Sequence, residues 1–271
     1  MAADAPTHPF ARWLERLGRG AVRAVEELGY HASLLAESLY WIAWGARRRQ
    51  PVRLADTVLE MMEVGVRALP IVIVLSLAIG AMLAIQGIHT LKTFGAESQV
   101  VAGIALSVTR EFAPLIVAIL VAGRSGSALA ARIGTMHIGQ EIDALRVIGV
   151  SPVRFLVAPA LIAMLVMMPA LTFCADVMGI VGGALYSSAA LGMDITTYLD
   201  RTRDVLEVED VMQGLVKSLV FAVLITLIGV ANGFAVSGGA QGVGRATTRS
   251  VVLSITAIVI ADMIFTWYLS R

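Results

Sequence analysis

Five apolar runs divide the chain, separated by polar segments of differing charge. A helix rises about 1.5 Å per residue, so about 20 consecutive apolar residues cross the roughly 30 Å hydrocarbon layer of a bilayer. Ala68–Ile88 meets that test, with Arg67 before it and His89 after it. Phe155–Ala175 meets it too, with Pro159 and Pro169 as expected kinks. Val251–Leu269 is interrupted only by Asp262, Val100–Ala122 contains Arg110 and Glu111, and Leu215–Val236 has Lys217 near its start. A sixth stretch, Val177–Gly192, is shorter and rich in Gly, Ala and Ser. It reads either as an extension of the third span or as a re-entrant piece.

Charge placement favours five spans over six. The first 70 residues hold nine Lys/Arg, and Gly123–Arg154 holds four: Arg124, Arg132, Arg146 and Arg154. Asp194–Asp210 holds six acids against Arg201 and Arg203, and Ser237–Ser250 is basic through Arg245 and Arg249. With five spans and a cytoplasmic N-terminus, each basic segment falls inside and the acidic one outside, as the positive-inside rule requires. A sixth span would move Arg245 and Arg249 outside. The expected fold is therefore an all-α polytopic membrane protein with a cytoplasmic N-terminus and a C-terminus on the outer side. Residues 1–67 form cytoplasmic or interfacial amphipathic helices. Residues 68–271 form the transmembrane domain, with spans at about 68–88, 100–122, 155–175 (or, if extended, to 192), 215–236 and 251–269.

The N-terminal segment has helical periodicity and does not read as a signal peptide. Phe10, Trp13, Leu14, Leu17, Ala21 and Leu28 fall on one side at 100° per residue, and Arg12, Arg16, Arg19 and Arg23 on the other. Such a helix lies in the interface beside anionic lipid. Leu34–Trp44, followed by Arg47-Arg48-Arg49, is too short to span and is expected at the cytoplasmic surface.

Composition agrees with the pattern. Hydrophobic residues make up 58% and charged residues 15% of 271, too little polar surface for a water-facing globule. The net charge of +1 excludes the basic field of a nucleic-acid binder. One cysteine, Cys174, excludes an intrachain disulfide framework, and His8, His31, His89 and His137 lack metal-ligand spacing.

Charges inside spans cost about 2.5–3.5 kcal/mol each on insertion scales, so they mark candidate chemistry. Arg110 and Glu111 are adjacent and point about 100° apart, so each needs its own partner. Pro114 lacks an N–H and frees a local carbonyl. This arrangement fits equally a cavity that holds a charged headgroup and an ion pair that closes the bundle. Asp176 and Asp262 read as hydrogen-bonded structural groups, Lys217 as snorkelling to the interface, and Gln86 as a polar group near the outer end of the first span. The run Ala122–Ala131 (Ala-Gly-Arg-Ser-Gly-Ser-Ala-Leu-Ala-Ala) reads as close helix packing. A serine nucleophile there would lack a histidine base from another span. Gly139–Gly149 reads as a short cytoplasmic helix with an apolar edge of Ile142, Leu145 and Ile148, ended by Gly149 and Pro152. By pattern alone it is a linker. Lys92 and Lys217 are the two lysines of the chain, and neither ends a phosphate-binding Gly-rich loop.

The runs Arg110-Glu111-Phe112-Ala113-Pro114-Leu115, Ala122-Gly123-Arg124-Ser125-Gly126 and Glu141-Ile142-Asp143-Ala144-Leu145, with Gly149 and Pro152, resemble the MlaE/YrbE-type permeases. Leu69-Pro70-Ile71-Val72 leading to Gln86-Gly87, and Arg245-Ala246-Thr247-Thr248-Arg249, agree with that resemblance, which covers about Val58 to the C-terminus. The resemblance implies a permease subunit of an ABC transporter that moves phospholipids with periplasmic MCE-domain partners and serves outer-membrane lipid asymmetry. It implies a homodimer around a lipid cavity near Arg110 and Glu111, lined by Leu83 and Gln86. It also implies a coupling helix, with Gln140, Glu141, Asp143, Ala144, Leu145, Arg146 and Gly149, that docks on a cytoplasmic ATPase. ATP and Mg belong to that ATPase; this chain is expected to have no cofactor, no metal and no catalytic residue of its own. The alternative is a secondary transporter driven by protons through Glu111, Asp176 and Asp262, against which the lack of a visible inverted repeat counts.

Overall fold

The computed structural model describes residues 9–45, 47, 50–96 and 99–269. The described residues are helical, with no strand among them. Helix α1 runs from Pro9 to Trp44. It is followed by α2 (Leu54–Val64), a single 3₁₀ turn at Val66–Ala68, and α3 (Leu69–Lys92). The next long rod comprises α4 (Val100–Ser107), α5 (Ala113–Val121) and α6 (Ser127–Ile138), joined by π-turns at Val108–Phe112 and Ala122–Gly126. The short α7 (Glu141–Val147) leads through a π-turn at Val153–Val157 into α8 (Ala158–Leu191). Helices α9 (Ile195–Val205), α10 (Val208–Phe234) and α11 (Gly239–Leu269) complete the chain.

Among the described residues, five rods are long and apolar enough to cross a membrane: Leu54–Lys92, Val100–Ile138, Val153–Leu191, Val208–Phe234 and Gly239–Leu269. Four of them contain an expected span and run past it at one or both ends; Val208–Phe234 begins seven residues before the expected 215–236 and stops two short of it. The sixth apolar stretch is resolved by α8, which passes through Pro169 without a break to Leu191 and stops at Gly192 in the left-handed region. Two expected links are themselves helical: Arg124 and Arg132 lie on the second rod, and Arg245 and Arg249 on α11. The reason is physical. Apolar runs report the hydrocarbon layer, whereas backbone hydrogen bonding carries a helix on through polar residues until a turn or cap ends it.

The π-turns have a local cause in two of three cases. Pro114 and Pro159 each lack the N–H that would bond the carbonyl four residues back, and each lies two residues after a π-turn. The third, at Ala122–Gly126, contains Gly123 and Gly126 in place of a proline.

Helix α8 is central, packed on α3, α10, α2, α5 and α9. Its contact with α3 is backbone on backbone: a Cβ on Gly80 would strike the Gly179 carbonyl, and one on Gly182 the Leu77 carbonyl. The small-residue run of the second rod packs on α10, where Gly126 meets Ile225 and Gly229 lies 3.0 Å (as a Cβ) from the Gly126 carbonyl. Around these contacts a core of Val72, Val108, Val117, Met168, Leu171 and Phe221 is buried.

At one end, Leu34 of α1 packs with Ile133, Ile142, Leu156, Val157 and Val230. The segment Leu34–Trp44 is thus the last third of one continuous helix that packs on the base of the bundle, not a separate surface piece. Arg249 pairs with Glu27 at 3.2 Å, Ser151 donates to Glu37 at 2.9 Å, and Arg154 donates to Gln50 at 2.9 Å. The basic segments therefore meet at this end. The acidic segment Asp194–Asp210, which includes α9, lies at the other, where Tyr198 is fully buried against Val101 and Ala184, and burial pushes its hydroxyl up to about 12. The two-faced pattern of the N-terminal segment rests mostly on side chains that are not described (Phe10, Arg12, Trp13, Leu14, Arg16, Leu17, Ala21, Arg23), although their backbone is helical; Arg48 and Arg49 lie outside the described residues.

Candidate functional site

Pro114 organises the charged site of the second rod. Without its N–H, the Arg110 carbonyl lacks its usual donor four residues on, and Lys217 Nζ of α10 donates to that carbonyl at 3.0 Å. The same ammonium donates to Glu111 Oε2 at 2.7 Å and to Thr266 Oγ1 at 3.1 Å, and it forms an ion pair with Asp262 Oδ1 at 3.0 Å that is not aligned as a hydrogen bond. Thr266 donates in turn to Glu111. One lysine thus ties the second rod to α10 and α11.

Arg110 points elsewhere, as the 100° offset requires. Its Nε donates to Asp210 Oδ1 at 2.6 Å, and Nη2 lies 2.5 Å from the same oxygen. The other oxygen of Asp210 accepts from the Glu207 N–H at 3.0 Å, completing the capping box of α10. Asp210 therefore sets both the start of α10 and the position of Arg110. Side-chain exposure divides the pairs: Lys217 and Asp210 are 1% and 3% exposed, whereas Arg110 and Glu111 are 46% and 36% exposed. The buried partners hold the open ones in place.

The sequence placed Lys217 at the interface, and the structure corrects this. Lys217 is fully buried because four oxygens from Arg110, Glu111, Asp262 and Thr266 replace its water. Asp262, expected as a hydrogen-bonded structural group, is instead an ion partner of Lys217 whose Oδ1 accepts no hydrogen bond. Asp176 is buried at 3% exposure with neither oxygen hydrogen-bonded, so the expected structural hydrogen bond is absent. Leu83 is half-buried against the core and Gln86 is exposed; among the described residues no hydrogen bond joins Gln86 to the ionic cluster. Gly87 meets Val100, and Val100 precedes Arg110 by ten helical residues, so Gln86 sits about 15 Å farther along the bundle. Asp210 and Thr266 went unrecognised. Their signal was periodic: Asp210 and Lys217 are seven apart on one apolar helix, and Asp262 and Thr266 four apart on another, so each pair shares a face.

The second polar feature is α7. Gln140 adopts a left-handed conformation (φ 58°) at its start, and Gly149 (φ 78°) reverses the chain after it. Val150 N–H closes back on the Leu145 carbonyl at 2.8 Å. Ile142 is buried in the basal core and Leu145 half-buried, but Val147 and Ile148 are 86% and 71% exposed. The expected apolar edge thus stops at Leu145. The helix ends at Val147, so Ile148 leaves the 3.6-residue period and turns outward. Glu141, Asp143, Ala144 and Arg146 are exposed, with Arg146 donating to Asp143 at 3.2 Å.

Long apolar rods, an ionic cluster within them and an exposed helical tip at their base define an all-α, multi-pass membrane permease. The family model described as Permease MlaE matches residues 57–268. A probable ABC transporter permease protein of Rickettsia typhi is 34% identical over 250 residues, covering 92% of this chain and 95% of that one. A probable ABC transporter permease protein of Synechocystis is 37% identical over 212 residues (78% and 81%). The intermembrane phospholipid transport system permease protein MlaE of Haemophilus influenzae is 34% identical over 208 residues (76% and 80%). The chain belongs to the MlaE permease family.

Proposed function

We propose that this permease moves phospholipids between the inner membrane and a periplasmic MCE-domain partner, driven by ATP hydrolysis in a separate cytoplasmic subunit that holds the ATP and Mg. The observation that carries the reading is α7: a rigid stub anchored through Ile142 to α6 and α8 while presenting Val147, Ile148 and the Asp143–Arg146 pair outward. A helix of this kind suits the groove of a partner. Because its anchor is the basal core, displacement of the stub moves the second rod, which carries Arg110 and Glu111. Gln140, Glu141, Asp143, Ala144, Leu145, Arg146 and Gly149 form the docking element. Two copies enclose the lipid cavity, with Arg110 and Glu111 within it and Leu83 and Gln86 nearer its outer end. The apolar surface of α11, where Val252, Val259, Ile260, Met263 and Ile264 are exposed, leaves room for a second copy. The basic end of the bundle lies in the cytoplasm, placing the N-terminus inside and the C-terminus in the periplasm.

The proton-driven alternative loses support from the ionic cluster, since Glu111 and Asp262 share Lys217 as counter-ion. The test uses the assembled transporter in lipid nanodiscs. Replacing Asp143 and Arg146 together with Ala is expected to lower lipid-stimulated ATP hydrolysis about tenfold, the effect of losing about 1.4 kcal/mol of docking energy. Unchanged stimulation would refute the docking assignment.

A further inference from the structure

A second cleft lies at the basic end of the bundle, apart from the Arg110 cluster. It has a volume of about 450 Å³ and opens between α2, the turn at Ala122–Gly126 with the α6 that follows it, and α8. That is within the roughly 300–1,000 Å³ of small-molecule sites. One side is apolar, with Leu59, Met62, Leu129 and Met164. The other is charged because two helices present matched stripes. Glu60, Glu63 and Arg67 recur at three and four residues on the first rod; Arg124 and Arg132, eight apart, face them from the second.

The charges do not cancel. Arg132 pairs with Glu60, and Arg67 pairs with Glu63. Arg124 donates through Nη1 to the Glu63 backbone carbonyl at 3.1 Å, while its Nη2 stays 3.9 Å from Glu63 Oε1, beyond hydrogen-bond distance. Three guanidiniums against two carboxylates leave one positive charge, and the geometry puts it on Arg124. The π-turn at Ala122–Gly126 sets that side chain in the cleft, and such turns recur at functional sites. A guanidinium offers five N–H donors in a planar fork suited to phosphate. Beside it, Leu59 and Met62 are 65% and 52% exposed, an apolar surface continuous with the cation.

We infer that this cleft is a second phospholipid site at the inner end of the permease, in which Arg124 binds the phosphodiester and Leu59 and Met62 carry an acyl chain. A cation joined to an apolar wall selects an amphiphilic anion over a soluble one. The site is a port for lipid entering or leaving the inner leaflet. The inference rests on the phospholipid-transport reading and adds a place of loading to it.

The test is photolabelling of the assembled transporter in nanodiscs with a phosphatidylglycerol bearing a diazirine on one acyl chain, followed by peptide mapping. Label is expected on the α2 peptide containing Leu59 and Met62. Because α2 also faces bulk lipid, the decisive readout is its dependence on the cleft. Arg124→Ala is expected to reduce that label about tenfold, as loss of a charge-assisted hydrogen bond does. Ala128→Trp, at an exposed position lining the cleft, fills the cleft with the charge intact and is expected to do the same. Unlabelled phosphatidylglycerol is expected to compete and glycerophosphoglycerol not to. Equal α2 label in both variants, or competition by the soluble headgroup, would overturn the lipid site. Label near Arg110 and Leu83 with none at α2 would overturn this site alone, whereas label at neither would overturn the transport reading itself.

Discussion

Removing the Lys217 ammonium leaves two carboxylates, Glu111 and Asp262, without their shared counter-ion inside the bundle. Breaking a buried ion pair from one side costs about 3–5 kcal/mol. Here Glu111 keeps 36% exposure and some hydration, so the lower end, about 3 kcal/mol, applies. Lys217→Met is therefore expected to lower the thermal midpoint of the purified protein clearly. Adding Glu111→Gln and Asp262→Asn, which removes the stranded charges, is expected to restore much of it. No recovery in the triple variant would show that the ammonium acts through the Arg110 carbonyl and Thr266 instead. Arg110 and Glu111 each have a buried partner and an open side, so the two descriptions that their adjacency permits, ion pair and headgroup site, are compatible in space.

Between elements, the decisive contact is α3 on α8. Small residues in both helices let the backbones touch, and dispersion over that length replaces the hydrophobic drive that lipid does not supply. Gly80→Val inserts a branched side chain where even a Cβ meets the Gly179 carbonyl. Backbone cannot yield as a flexible side chain can, so the helices must separate at a cost of about 1–3 kcal/mol or more. The expected result is reduced recovery of folded protein by size-exclusion chromatography, whereas a substitution at the exposed Gly103, where a Cβ meets nothing within 4 Å, is expected to be neutral. Equal recovery of both variants would show that the interface adjusts.

For the whole molecule, the five rods and the gathering of Glu27, Arg154 and Arg249 at one end make a sidedness prediction. In a Cys174→Ser background, which removes the one cysteine, Val147→Cys on α7 is expected to react with membrane-impermeant maleimide only from the cytoplasmic face. Asp200→Cys on α9 is expected to react only from the periplasmic face. Both residues are exposed. Labelling of both from the same face would require an even number of crossings between them and would overturn the five-span arrangement.

The positions of the spans were legible in the amino-acid order because transfer of apolar side chains into hydrocarbon is a local property that sums along a helix. Ala68–Ile88 and Phe155–Ala175 needed no knowledge of the fold. The small-residue run at Ala122–Ala131 was legible for a similar reason, since close approach needs small side chains wherever the neighbour comes from. Partners were not legible. Lys217 looked like a residue that would reach for water because its ligands, Glu111 and Asp262, lie far away along the chain and only the packing of three rods brings them together. Arg124 and Glu63 were assigned to polar segments outside the spans, yet helical continuation aligned them across one cleft. Burial free energy selects the segments one at a time; compensation of charge requires several segments at one point in space, and only the folded bundle creates that point.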